Sequence, residues 1–389
     1  MNRSRRFLFG VTVDRSIQFH RHLALSLKAA GQDVHFVSSD GPKLRELDGK
    51  ITTHVLAMVR RPHPVKDLVS FRKWVRLLRS VRPDIVLIGT PKASLLGILA
   101  ARILRVPRRI YFVHGLRYES ATGLGRTVLV VIEKLVVHCS TEVIAVSESV
   151  RTGLQRDGIS ADRSVMVIGR GSAQGVDIDV FRPASHPAER LDVISELGLD
   201  PQVPVLGYLG RLTREKGLDE LAEALTQLVN AGTELQLLVV GSIDDESGRQ
   251  SFGRLRASGM HCVATGYTTQ PARYLRAMDA FCLPTHREGL PNAILEAFAT
   301  EVPVVSTKVT GVVDLVTDGE TGVLVEPRNP TQLATALRRV LSDTTLTTAI
   351  SRSARQFVTT YFSRDAVTQA QMNLLLAPAR SRTTDESHR

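Results

Sequence analysis

Residues 280–307 read AFCLPTHREGLPNAILEAFATEVPVVST: a short apolar run, a polar loop, a segment at helical period and a second apolar run. This is the punctuation of a strand, a helix and a second strand, the unit from which parallel sheets are built. Pro291 suits the first helical position, where its fixed φ is an advantage and its missing N–H costs nothing. Backbone amides around Gly289, Leu290 and Asn292 then lack intrahelical partners. Gly289, having no Cβ, lets a ligand come close to them. Glu288 precedes the helix, and Glu296 lies inside it, roughly 7 to 8 Å from its start at 1.5 Å per residue.

Two carboxylates at this spacing suit an acid/base pair, a metal site or two acceptors flanking a bound group. A carboxylate touching an anion would repel it, so beside an anion-binding helix start the third reading gains weight. Hydroxyls on either side of a diphosphate would meet Glu288 and Glu296, and a nucleotide-sugar has those parts. Taken alone, Glu296 equally reads as a solvated helix carboxylate.

Further strand-like runs surround this unit. PVLGYLG, LQLLVVG, HCVATG, PVVST and TGVLVEP accompany it in the second half; FLFGVTV, DVHFVSS, DIVLIG, RIYFVHG and EVIAVS alternate with helical patterns in the first. At 389 residues the chain exceeds one ordinary core. The expectation is an α/β protein of two doubly wound, Rossmann-like parallel-sheet domains facing across a cleft, with ligands at the carboxyl ends of the strands. The stretch GRGSAQGVDIDVFRPASHPAERL (169–191) reads as the linker, giving domains 1–185 and 186–378, with a last helix returning to the first domain. Residues 379–389, ARSRTTDESHR, are too polar to fold and read as a disordered tail.

In the second half, PVLGYLG runs into RLTREKGLDELAEAL, which places Arg211 at a strand end and Lys216 at the opening of a helix. Two cations and a helix start at the ligand edge would hold a diphosphate. A solvated polar loop fits the GRxxxxKG spacing equally well, and the full Walker A set is missing.

Hydrophobic residues at 43% and charged residues at 23% describe a globular chain. Cys139, Cys262 and Cys282 stand far apart in apolar stretches, which argues against a disulfide framework or zinc site. The basic start of the chain is followed by too short an apolar run for a signal peptide, and a first strand is the better reading. The longest apolar stretch, 127–146, is interrupted by Glu133, Lys134, His138 and Glu142 and does not read as a spanning helix. A cytoplasmic location follows.

The net charge of +11 is unevenly spread. Residues 1–185 hold 30 Lys and Arg against 15 Asp and Glu, and residues 186–389 hold 20 against 24. Nucleic acid, an anionic membrane or an anionic small ligand would each account for the excess. No nucleic-acid motif accompanies it, which leaves such a protein with charge as its one support. In FRKWVRLLRSVRPD (71–84), Phe71, Trp74, Val75, Leu78 and Val81 recur at helical spacing among arginines. This is either an interfacial helix on anionic lipid or a helix packed on a sheet with solvated arginines.

The pieces GRLTREKG, LPTHREGLPNAILEAFATEVPVVST with its Glu-x7-Glu, and VTDGETGVLVEP together resemble the retaining glycosyltransferases of family 4, which have the GT-B fold. FVHGLRYE and GRGSAQGVDIDVFRP extend the resemblance into the first half. It implies a sugar transferred with retention from a nucleotide-sugar, as a UDP-sugar, to a glycan or polyprenyl-diphosphate acceptor in bacterial capsule, exopolysaccharide or lipid-linked oligosaccharide synthesis. Arg211 and Lys216 match the residues that grip the donor diphosphate, Glu296 the ribose carboxylate, Glu288 the one that meets the sugar, and His114 the residue facing that sugar from the first domain. Asp14, Ser16 and Arg117 fall on the acceptor side. The first loop, GVTVDRS, has a single Gly where many relatives have a Gly-rich turn, and ATEVP departs from a common Cys-Gly.

No cofactor and no metal are expected. Asp177-Ile-Asp179 has the spacing of a metal-binding DxD, and Asp244 and Asp245 are adjacent, but Arg211, Lys216 and a helix start already supply the positive charge. Peripheral contact with the inner face of an anionic membrane fits the basic half. A UDP-sugar epimerase, which shares the fold and the donor, is the alternative enzyme.

Overall fold

The computed structural model describes residues 4–59, 62–160 and 164–378. The tail at 379–389 lies outside the described residues. Seven strands form the first sheet: β1 (Arg6–Gly10), β2 (Asp33–Ser38), β3 (Thr52–Val55), β4 (Ile85–Ile88), β5 (Arg108–Val113), β6 (Glu142–Ala145) and β7 (Val165–Val167). Six form the second: β8 (Val205–Leu209), β9 (Gln236–Val240), β10 (His261–Gly266), β11 (Ala280–Leu283), β12 (Val304–Thr307) and β13 (Val323–Val325). Their orders are β3-β2-β1-β4-β5-β6-β7 and β10-β9-β8-β11-β12-β13, and every pairing is parallel. Central strands such as IVLI of β4 and QLLVV of β9 are buried along their whole length, as a sheet covered on both faces requires. Two of the strands, β3 and β7, are absent from the runs legible in the sequence. Both are edge strands of four and three residues, and TTHV of β3 is not buried at any position.

The order of each sheet reverses once, between β1 and β4 in the first and between β8 and β11 in the second, and such switch points open a crevice at the carboxyl ends of the strands. Each domain has its own apolar core.

The helix Pro64–Val81 settles its two readings in favour of packing. Trp74, Leu78 and Val81 are buried on the sheet, and the indole lies where Gly10 and Gly97 leave room for it. An added Cβ would meet the ring at 2.7 Å from Gly10 and at 3.2 Å from Gly97.

The chain crosses between domains twice, side by side. Val176 N–H donates to the Phe362 carbonyl at 2.8 Å, and Arg364 N–H donates to the Val176 carbonyl at 2.8 Å. Gly175, at φ +63°, sits so near this second crossing that a Cβ would come within 2.8 Å of Phe362 O. Asp177 belongs to the same joint: Oδ1 accepts from the Asp179 and Val180 amides, and Oδ2 pairs with Arg364 at 2.8 Å. The returning helix, Arg364–Leu376, lies on the helix Gln18–Ala29, and its Leu375 is buried in the first core.

Buried Arg108, at the start of β5, fastens that return. Its guanidinium grips Glu142 through two bonds, at 2.7 and 2.9 Å, and donates to the Leu375 and Ala377 carbonyls at 2.8 and 3.1 Å. Removing one member of a buried pair strands the other charge, at a cost of about 3 to 5 kcal/mol. Arg108→Ala should therefore lower the thermal midpoint sharply in calorimetry. The double variant Arg108→Leu with Glu142→Leu should recover part of the loss; if it is no more stable than the single variant, the stranded charge is not the cause.

Candidate active site

The residues after β1, β4 and β5 face those after β8 and β11, so the two switch points look at each other. Between them lies a cleft of about 350 Å³ whose walls include His114, Arg211, Lys216, Glu288, Gly289, Leu290 and Asn292. These are residues the sequence marks as candidates, brought together from both domains. Gln18, Phe19, Glu215 and Arg287 also line it and carry no signal in the sequence beyond polarity or helical period.

Arg211 leaves β8 at Gly210, and the buried Tyr208 hydroxyl donates to its carbonyl at 2.9 Å, fixing the backbone there. Lys216 closes a single 3-10 turn, Arg214–Lys216, and the helix Leu218–Asn230 begins only after Gly217, at φ +71°. Lys216 thus stands before the helix rather than opening it. The β8 and β11 exit loops are tied together, since His286 N–H donates to the Glu215 carbonyl at 2.9 Å. Pro291 is the residue before the helix Asn292–Ala299, one place earlier than its φ preference predicts.

Charges in the cleft wall are paired. Lys216 Nζ bonds Glu288 Oε1, Arg287 reaches Glu215 at 3.0 Å and Arg211 reaches Asp244 at 3.3 Å. Asp244 also meets Arg15 of the first domain at 3.4 Å and accepts from the Ser242 hydroxyl at 2.9 Å. Its carboxyl lies below the ordinary aspartate range because these bonds and cations outweigh its partial burial. Glu296 does not line the cleft; it is partly exposed one turn beyond Asn292 and Ala293. Lost hydration pushes its carboxyl up to about 8, opposed only in part by the positive charge of Arg364.

On the opposite wall His114 stacks among Phe19 and Phe112, with ring centroids 4.6 and 4.9 Å away. Burial pulls its pKa down to about 3, so it is neutral at physiological pH. Its Nε2 lies 3.2 Å from Nε2 of His20, which is fully buried and likewise held neutral by burial. His20 Nδ1 is buried without a partner among the described residues. A bare ring nitrogen costs less there than an orphaned N–H, so the His20 proton belongs on Nε2, donating to His114, and the His114 proton on Nδ1. His20 is therefore a support for His114 that the sequence shows only as a position on a helix face. Gly89, after β4, makes room for both rings: a Cβ would stand 2.4 Å from His114 Nε2 and 3.1 Å from His20 Nε2.

The acceptor-side candidates stand elsewhere. Both oxygens of Asp14 accept backbone amides, from Lys43 at 3.1 Å and Leu44 at 2.7 Å, so its carboxylate caps the short helix Pro42–Arg45. Ser16 lies in the 3-10 turn Asp14–Ile17, and Arg117, exposed in the turn Arg117–Ser120, does not line the cleft. Arg117 acts instead on Glu133, whose carboxyl burial raises to about 7 and whose Oε1 accepts from the Tyr111 hydroxyl at 2.6 Å.

The two walls touch at Gly289. Ser147 Oγ donates to its carbonyl at 2.8 Å, Ser149 N–H donates to Asp314 at 2.9 Å, Gly311 N–H donates to Ser149 Oγ at 2.7 Å, and Thr310 donates to Glu119 at 3.0 Å. The first helical turn at Ser147 thus holds the loop that opens the helix Asn292–Ala299.

Comparison with known proteins fits this geometry. The model for glycosyl transferases group 1 matches residues 203–343, and the model for the glycosyl transferase 4-like domain matches residues 18–171. The chain is 35% identical over 358 residues to the capsular polysaccharide biosynthesis glycosyltransferase CapM of Staphylococcus aureus, covering 92% of this chain and 93% of that protein. The chain belongs to this glycosyltransferase family. A second relative, the UDP-Gal:alpha-D-GlcNAc-diphosphoundecaprenol alpha-1,3-galactosyltransferase of Escherichia coli, is 27% identical, with 85% of each chain covered. Among solved structures, HepE of Anabaena in complex with UDP-glucose superposes with a TM-score of 0.80 at 21% identity, covering 95% of this glycosyltransferase and 99% of that chain, a likeness of fold. The sheet orders and the facing switch points are those of a GT-B enzyme.

An added Cβ on Gly289 would lie 1.8 Å from the His114 carbonyl oxygen. Gly289→Ala should push the two walls apart, and a displacement of about 1 Å at a reacting centre costs on the order of a hundredfold in rate. The expected result is a kcat/KM for transfer reduced about that much with the thermal midpoint nearly kept; wild-type turnover in this variant would show that the contact does not set the geometry.

Proposed function

We propose that this glycosyltransferase moves a sugar from a UDP-sugar to a polyprenyl-diphosphate-linked acceptor, with retention of configuration and without a metal. The observation that carries the donor half is the convergence of Arg211, Lys216, the loop from Gly289 to Asn292 and a neutral His114 on one cleft. The acceptor half draws on the lipid-linked substrate in the name of the Escherichia coli relative.

Lys216 and Glu288 neutralise each other in the cleft wall. An arriving diphosphate draws Lys216 and Arg211 to itself, which frees Glu288 to accept hydroxyls of the sugar. The same two cations and the helix start then stabilise the charge that grows on the departing diphosphate. His114, held neutral, adds no competing charge and offers hydrogen bonding to the sugar. No step requires a nucleophilic carboxylate: on a front-face path the departing phosphate takes the proton of the acceptor hydroxyl, the new glycosidic bond forms and the sugar–phosphate bond breaks on one face.

Glu296 makes donor binding pH-dependent. Its folded pKa of about 8 lies above the ordinary 4.5, so at pH 7 the empty enzyme holds it protonated. The cost of charging it in the folded state is absent below pH 4.5 and grows as pH rises toward 8. A ribose that reached beyond Asn292 and Ala293, one turn past the cleft wall, would donate hydroxyls to Glu296 and favour its anion, so UDP binding should release a proton at pH 7. Calorimetry of UDP in buffers of different ionisation enthalpy should show this release, and Glu296→Gln should abolish it, weaken UDP about tenfold and stabilise the empty protein at pH 8. The same experiment in EDTA should give unchanged affinity. A proton count unaltered by Glu296→Gln removes the ribose assignment, and a wild type that binds no UDP-sugar removes the donor reading.

The membrane contact moves from the Trp74 helix to the helix Gly123–Cys139. Leu124, Val128, Val131 and Leu135 recur there at i, i+4, i+7 and i+11, on one face, and are 85%, 56%, 58% and 41% exposed. Arg126 and Lys134 lie on the same helix, which follows the His114 loop. No described helix is long and apolar enough to cross a membrane. A peripheral enzyme at the inner face of the membrane fits these features. Wild type should float with anionic vesicles at low salt, and Leu124→Glu with Val128→Glu should not; absence of wild-type flotation would dispose of the membrane contact.

A further inference from the structure

A second opening in the first domain lies outboard of the cleft, at the same carboxyl edge of the sheet. It is an apolar groove of about 410 Å³, lined by Met58 and Val59 after β3 and by Val65 and Val69 on the first turns of the helix Pro64–Val81. Val59, Val65 and Val69 remain exposed, so the groove is lined but not filled. The Ser70 hydroxyl, also in its wall, is turned onto backbone, donating to the Lys66 carbonyl at 2.8 Å and the Ala57 carbonyl at 3.3 Å. That hydroxyl is spent on backbone, and the apolar part of the wall, Met58, Val59, Val65 and Val69, suits a hydrocarbon chain.

Lys66 and Lys73 line the same groove. Seven residues apart, they lie on one face of the helix about 10 Å from each other. Among the described residues neither forms an ion pair, whereas Asp67 between them is already bound to Lys92 at 2.7 Å. Two uncompensated cations beside an apolar trough call for a ligand with a hydrocarbon part and more than one negative charge.

The groove also adjoins the reaction cleft. Ser39, in the groove wall, accepts the Asp14 N–H at 3.1 Å; Asp14 begins the turn Asp14–Ile17, and the next residues, Gln18 and Phe19, line the cleft. From β2 and β3 to β5, which ends beside His114, is three to four strand steps, roughly 14 to 19 Å. A saccharide head spanning that distance would join a chain in the groove to a reacting hydroxyl near His114.

We infer that this groove binds the diphosphate and first isoprene units of the lipid-linked acceptor, Lys66 and Lys73 holding the phosphates and Val65 and Val69 the chain. The inference rests on the lipid-linked acceptor proposed above, but not on the donor. It gives Asp14 an indirect place, as a capping residue in the wall between groove and cleft.

Farnesyl diphosphate is a suitable probe, titrated into the full chain saturated with UDP so that the donor site is occupied. Binding should be seen by calorimetry. Val69→Asp, and Lys66→Glu combined with Lys73→Glu, should each weaken it at least about tenfold. These side chains are exposed, so the fold should survive, and an unchanged UDP-induced thermal shift confirms that it has. Inorganic pyrophosphate should bind much more weakly than farnesyl diphosphate. Equal binding of pyrophosphate would leave only an anion site and overturn the proposal. So would farnesyl diphosphate binding that ignores the variants, or variants that abolish capture by anionic vesicles while leaving farnesyl diphosphate untouched. If wild type fails to bind UDP, the donor reading falls by itself, and the same titration without UDP still decides the groove.

Discussion

Gly289 brings the two domains together backbone to backbone: His114 and Gly115 stand where any side chain at 289 would have to go. The loop is pressed against the His114 strand end, and the residues that open the helix Asn292–Ala299 line the cleft. Because Ser147 and Ser149 bind Gly289, Gly311 and Asp314, the contact is held by hydrogen bonds on its far side and the cleft opens on the other. Gly311, at φ +81°, repeats the constraint, with a Cβ only 2.5 Å from the Gly289 carbonyl oxygen. Without these glycines the two sheets would keep their cores and lose their register with each other. The catalytic geometry is thus a property of the joint, while stability is a property of each domain.

The cleft holds its cations as ion pairs. Three pairs, Lys216 with Glu288, Arg211 with Asp244 and Arg287 with Glu215, spare the walls from mutual repulsion without deep burial of any single charge. On the donor reading proposed above, phosphates would replace carboxylates within this set at little electrostatic cost, and the released carboxylates would accept hydroxyls. Glu288 and Glu296 are then different in kind. Glu288 is paired with a neighbouring cation, whereas lost hydration raises the carboxyl of Glu296.

The cleft wall of the second domain was legible in the sequence because its residues follow strand ends directly, and ligands of a doubly wound sheet bind at the carboxyl ends of its strands. Arg211, Lys216 and the Glu288 to Asn292 loop needed only the alternation of apolar runs to be placed. The supports were hidden for the opposite reason: His20 reaches His114 across 94 residues, and Ser149 reaches Asp314 across 165. Nothing local marks a histidine on a helix as a partner rather than core. Asp14 misleads in the same way, since its position after β1 points to a ligand while its oxygens are taken by the amides of Lys43 and Leu44. The edge strands β3 and β7 were missed because strands of three or four residues lack the length for a period.

Amphipathic pattern proved least transferable for the basic helix. The Trp74 stripe and the Leu124 stripe have the same spacing, yet one is buried on a sheet with two glycines carved to receive it and the other faces outward. Pattern shows that a helix has an apolar face; only its neighbours decide what covers that face. Charge follows a similar logic. Fields fade over about 8 Å at physiological ionic strength, so the slight negative excess of the second domain does not deter an anionic donor held by two local cations. The positive excess of the first domain acts where its residues are, along the groove at Lys66 and Lys73 and beside the Leu124 stripe. The lipid-linked acceptor proposed above, apolar at one end and doubly charged in the middle, would match that arrangement.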